Sequence, residues 1–314
     1  MAYILYVAIL ETRGYIVGES NGASGLHRYD GELGWTHLGW QNLRHCGIAV
    51  EHGRPETLYL AAGNGVLRST NGGRAWRITT GWRITEVQDV AADPHVPGRV
   101  FAATAYGVIR TEDGGDSWIV CSRGIPDPIA TYIQSIAADY SRPNRVIAGS
   151  EDGLFVSDDG AESWRTAAGP RGVAIRTVRQ SPTAPDLWLA ATEDHGLMIS
   201  TDGGADWHSV DGPTAGLTYY AVAFDPSNAG RMAAAGYETG VYLSEDGGTS
   251  WERWISDLPE PTIHALAFDP QQEGLLWVGT VGRGVFLVAP DARWTHMGLD
   301  NATVRDMRFV RTSP

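Results

Sequence analysis

Seven residues recur at one register of seven similar segments: Arg44, Gln88, Gln134, Arg176, Tyr220, His264 and Arg305. The residue before each is apolar: Leu43, Val87, Ile133, Ile175, Tyr219, Ile263 and Val304. A polar position fixed within a repeated strand faces the same way in every copy. Three arginines and a histidine gathered in this way would form a local cationic site. Such a site suits a carboxylate, a phosphate or an acidic side chain of a partner. A second set occupies short turns beside glycine: Asn64, Tyr106, Glu151-Asp152, Glu193-Asp194-His195, Tyr237-Glu238 and Arg283. Glycoside hydrolysis needs two carboxyl groups about 5–9 Å apart, and Glu193 and Asp152 are the candidates for it. Charged residues beside glycine are also ordinary turn chemistry. Trp40, Trp82, Tyr132, Tyr219 and Tyr220 add aromatic faces that either stack on a ligand or pack between elements.

These residues must be positioned by a repeated scaffold, and the repeat is explicit. Five segments align without gaps: 69–76, 111–118, 157–164, 200–207 and 244–251. The third of them reads Ser-Asp-Asp-Gly-Ala-Glu-Ser-Trp, and each ends in tryptophan. Weaker copies end at Trp35 and Trp294, whose tails match as Trp-Thr-His-Leu-Gly and Trp-Thr-His-Met-Gly. Successive tryptophans are 41 to 46 residues apart. A period of that length with four short strands per unit marks a β-propeller. Seven units consume nearly all of the 314 residues. The expectation is an all-β chain, residues 1–314 forming one seven-bladed propeller of four-stranded antiparallel blades.

Within the unit ending at Trp118, the strands read as Glu86–Ala92, Arg99–Thr104, Val108–Thr111 and a last strand from Trp118. Asp93-Pro94, Asp225-Pro226 and Asp269-Pro270 mark equivalent turns between first and second strands. The first strand of each blade lines the central channel. Loops joining fourth to first and second to third strands then share one face, the top. Ring closure is open at this level. Both Ala2–Leu10 and Thr303–Val310 read as innermost strands, and the C-terminal one either completes the first blade as a clasp or caps it from outside.

The repeated segments resemble the BNR, or Asp-box, family, with its Ser-x-Asp-x-Gly-x-Thr-Trp signature, over essentially the full chain. Similar repeats occur in sialidases, xyloglucan-degrading glycoside hydrolases, the sortilin ectodomain and a photosystem II assembly factor. The resemblance implies the propeller fold and leaves function open. Asp113, Asp159, Asp202 and Asp246 read as turn caps, since an Asx side chain accepts hydrogen bonds from its own turn. Asn71 stands in for Asp in one copy, which capping tolerates and acid catalysis does not. Sialidases of this kind carry an Arg-Ile-Pro motif. The nearest match is Arg123-Gly-Ile-Pro126, with a glycine inserted.

Composition agrees. Glycine is abundant at 39 residues and tryptophan at 12, as many tight turns between packed strands require. The net charge of −13 disfavours nucleic acid as a partner. Cys46 and Cys121 lie far apart in strand-like segments and read as small buried apolar residues. No metal-binding or cofactor motif is present, so neither is expected. The apolar start reads as a strand, not a leader, and no stretch suits a bilayer span. The expected compartment is the cytoplasm. The expected role is non-catalytic: capture of a protein segment or small anionic ligand at the top face. Glycoside hydrolysis, sialidase- or xyloglucanase-like, is the alternative.

Overall fold

A computed structural model describes residues 2–11, 24–39, 45–126 and 132–312. Among these, strands assemble into seven four-stranded antiparallel sheets, each a blade. The third blade contains Val87–Ala92, Val100–Thr104, Gly107–Thr111 and Ile119–Val120 from the axis outward. These limits fall within a residue of those expected, the last strand starting at Ile119 just after Trp118. The first strand starts at Val87 because Glu86 adopts a left-handed φ of 54°, which ends extended pairing.

Closure is settled by the C-terminal strand. Ala302–Arg311 is innermost in the first blade, and Tyr3–Glu11 is its second strand, followed by Gly25–Tyr29 and Trp35–His37. The pairing runs from Tyr3 opposite Arg311 to Glu11 opposite Ala302. Thr312 adds two bonds to the Ala2 carbonyl, from its N–H and its hydroxyl. Innermost strands pack in ring order, and that of the seventh blade, Ile263–Phe268, meets the clasp.

Second and third strands are buried on both sides between neighbouring blades. They therefore read as apolar runs, not as alternation. Val100–Thr104, Trp188–Thr192 and Met232–Gly236 are buried at every position. Alanine pairs within them let blades approach closely, and large side chains fill the seams. Trp188, Trp207 and Tyr59 are almost fully buried. Each such side chain contributes on the order of 2–3 kcal/mol by burial.

The repeated turns join third to fourth strands and cap themselves. Ser157 Oγ donates to Asp159 Oδ1 at 2.8 Å and accepts the Ala161 N–H, while Asp159 accepts the Ser163 N–H at 2.9 Å. Asn71 accepts from the Ser69 hydroxyl and the Ala75 N–H in the same way. The tryptophans then tie neighbouring blades: the Trp76, Trp118 and Trp164 indoles donate to Leu38, Thr79 and Cys121 of the preceding blade.

Candidate functional site

Each innermost strand carries a β-bulge at the same register. The pairing skips one residue between Val87 and Asp89, Ile133 and Ser135, Ile175 and Thr177, Tyr219 and Ala221, and Ile263 and Ala265. In the clasp it skips Arg305. The bulged residues are therefore Gln88, Gln134, Arg176, Tyr220, His264 and Arg305. A bulge re-aims one side chain relative to the pleat, and here it turns a polar residue of six blades toward the axis. All six line one cavity of about 420 Å³.

Arg44 lies outside the described residues. In the second blade the skip falls between His45 and Gly47, so the residue equivalent to Gln88 is Cys46, not Arg44. An offset of two residues preserves strand parity and so escapes an apolar–polar alignment.

Arg176 is not a free cation. Its guanidinium pairs with Glu193 and lies 3.3 Å from Glu151 Oε1, which also accepts from Gln134 Nε2. Glu193, one of the two candidate carboxylates, is thus engaged by an arginine. Across the cavity, Arg305 Nη1 donates to His264 Nδ1 at 3.2 Å, and the His264 ring lies against Tyr220 with centroids 4.4 Å apart. Gln88 Nε2 donates to the Glu86 carbonyl.

Of the expected aromatics, Trp40 lies outside the described residues. Tyr132 and Tyr220 line the cavity, and Trp82 is exposed. Tyr219 belongs to the core, edge-on to Tyr242. Tyr106 and Tyr237 are exposed in the second-to-third-strand turns. Asp194 is fixed by Thr218, whose hydroxyl donates to it at 2.7 Å. Gly124 of the Arg123–Pro126 segment is a packing glycine: a Cβ there would meet the Trp164 carbonyl at 2.1 Å. Cys121 is a free, buried thiol.

Four charged lining residues were not singled out from sequence: Asp89, Arg179, Asp306 and Arg308. Arg179, in the fifth blade, reaches across the axis. Its Nη1 lies 3.7 Å from Asp89 of the third blade, and its Nη2 lies 3.8 Å from Asp306 of the first. Arg308 Nε stands 3.3 Å from the other oxygen of Asp306. The two aspartates are bound to backbone. Asp89 accepts the Val90 and Ile136 N–H groups and the Ser135 hydroxyl; Asp306 accepts the Ile48 and Met307 N–H groups. Burial raises the Asp89 carboxyl above its ordinary range against the opposing pull of Arg179, and burial lowers Arg179, with Arg308 adding to the effect.

The signal for these arginines is a departure from the repeat. Three residues after the bulge, five blades place alanine: Ala49, Ala91, Ala137, Ala223 and Ala267. The first and fifth place Arg308 and Arg179.

No protein-family model matches this sequence, and no curated protein does. Solved structures do match. The GH74 enzyme of Niastella koreensis superposes with TM-score 0.73 at 17% identity, over 93% of this chain and 54% of that one. The GH74 xyloglucanase of Xanthomonas campestris gives 0.70 at 21%, over 94% and 56%. YCF48 bound to D1 peptide gives 0.61 at 17%, over 90% and 92%. This chain therefore spans little more than half the length of the two GH74 enzymes. At these identities the likeness is one of fold. No helix among the described residues is long and apolar enough to cross a membrane.

Proposed function

We propose that this chain is a non-catalytic binding propeller that captures a protein segment or a small anionic ligand at the top face, through the side chains that line the cavity. The convergence of six bulged side chains, one from each of six blades, on one cavity carries this reading. Sites that hold ligands are concave and present a few convergent polar groups among apolar walls. The similarity in fold to YCF48 bound to D1 peptide supports a protein segment as occupant. In this reading residues 1–314 act as one propeller unit in the cytoplasm, which fractionation of cells checks.

The test is capture from native lysate by the full chain and by an Arg305→Ala/Tyr220→Ala variant of unchanged circular dichroism. Partner capture is lost in the variant. Equal capture by both proteins removes the cavity from the reading.

The similarity to GH74 enzymes favours a second reading, glycoside hydrolysis through Glu193 and Asp152. The ion pair between Glu193 and Arg176 argues against it. Turnover of β-glucan or sialyl reporter substrates that disappears in Glu193→Gln or Asp152→Asn would establish catalysis and displace the binding reading.

A further inference from the structure

The inner end of the cavity carries more hydrogen-bond donors than the protein satisfies. An arginine has five N–H donors. Arg179 uses one in a hydrogen bond, to its neighbour's carbonyl, Val178 O, at 2.9 Å. Arg305 uses one on the His264 imidazole. Among the described residues, Arg308 makes one ion pair, with Asp306. The obvious acceptors are taken, because the Asp89 and Asp306 carboxylates are occupied by backbone N–H groups and a hydroxyl. Arg179 accordingly stands off from both at 3.7 and 3.8 Å, beyond hydrogen-bond length. Arg305 makes no ion pair with a carboxylate among the described residues. Arg179 is thus held between two aspartates, Arg308 stands beside one of them and Arg305 lines the same cavity, so donor capacity and positive charge both exceed what Asp89 and Asp306 return.

We infer that Arg179, Arg305 and Arg308 form a site for a tetrahedral oxyanion, a phosphate or phosphomonoester group, at the inner end of the cavity. A carboxylate presents two oxygens, enough for one guanidinium fork. Arginines approaching from the first and fifth blades need an acceptor with oxygens on several sides and more than one negative charge, and a phosphoryl group has both. His264 accepts from Arg305 on Nδ1 and so helps to orient it. This inference rests on the binding reading above and names the chemical group that the inner end of that site takes.

The experiment is calorimetric titration of the full chain with inorganic phosphate, with a short phosphoserine peptide and with acetate. Saturable binding of phosphate or the phosphopeptide, and none of acetate, is the expected result. Arg308→Gln weakens it about tenfold or more, the loss of one charge-assisted contact. Arg293→Gln, at an exposed arginine of the seventh blade outside the cavity, leaves it unchanged. A phosphopeptide that binds tighter than phosphate assigns the group to a modified side chain of a partner. Equal affinities assign the free ion. Either result supports the site. Absent phosphate and phosphopeptide binding, equal binding of acetate, or undiminished binding by Arg308→Gln overturns it. Because Arg179→Gln risks misfolding, the test rests on Arg308. If the site fails while capture still depends on Arg305 and Tyr220, only the oxyanion assignment falls. If phosphate binds as described but lysate capture is indifferent to Arg305 and Tyr220, the capture of a protein segment falls and the oxyanion site stands.

Discussion

The indole N–H of Trp35, in the first blade, donates to the carbonyl of Met297, in the seventh, at 2.6 Å. This bond crosses the seam where the two ends of the chain meet, and it repeats the blade-to-blade tie made by Trp76, Trp118 and Trp164. Trp35 also lies edge-on to Trp277 of the seventh blade. Trp35→Phe keeps most of the packing and removes the donor. The expected cost is about 1 kcal/mol, read as a lower thermal midpoint with an unchanged far-ultraviolet spectrum.

The innermost strands also meet at a glycine. A Cβ on Gly47 would lie 2.4 Å from Asp89 Oδ1. Gly47→Ala must displace Asp89 and with it the bond to Ile136 N–H. We expect destabilisation of about 1–3 kcal/mol, measured by denaturant unfolding. Gly81→Ala is the control, since a Cβ there meets nothing within 4 Å, and should change stability little.

Histidine titration gives a signature near neutrality. His27 is buried against His37, ring centroids 4.7 Å apart, and burial with the neighbouring imidazole lowers its pKa from 6.5 to about 4. The unfolded chain therefore binds a proton that the folded one refuses. Stability is intact above about pH 6.5 and falls as pH drops toward 4, by up to roughly 3 kcal/mol. His27→Phe should flatten the unfolding free energy over that window. A slope equal to wild type would show that other groups carry it.

A second acid-sensitive element lies in the repeated turns. Hydrogen bonds from the Ser250 hydroxyl and N–H hold the Asp246 pKa at about 2, and bonds from Ser117 and Thr111 hold Asp113 lower still. Both depressed values mean that their stabilisation is present above about pH 4 and is lost as pH falls through the folded values. Asp246→Asn keeps an acceptor, as Asn71 does, and should weaken the acid dependence while preserving the turn. Asp246→Ala should lower the thermal midpoint at pH 7. Tryptophan fluorescence during acid titration reads both.

Much of this was legible in the sequence because the repeat is local. Glycine, Asx and tryptophan at fixed offsets define the turn, and strand limits in the third blade follow to within about a residue. The bulged register emerged from the same alignment in six blades. It slipped in the second, where Cys46 takes the place assigned to Arg44, because a two-residue shift leaves alternation intact. Arg179 and Arg308 were hidden for the opposite reason: the repeat places alanine there, and only comparison of the odd blades against the common pattern exposes them. The clamp of Arg176 between Glu151 and Glu193 joins turns of two blades to a strand of one, which spacing along the chain does not encode. Tyr219 and Tyr220 look alike in sequence, yet one packs in the core and the other, at the bulge, lines the cavity.

In most repeat assemblies each unit feels only its immediate neighbours, so stability is close to a sum of unit and interface contributions. Arg179 breaks that rule here. Acting like a tie-rod between the fifth, third and first blades, it links parts of the ring that share no seam. Charge at the axis is thereby shared by three blades, and an occupant that draws Arg179 away from Asp89 or Asp306 alters the surroundings of all three at once.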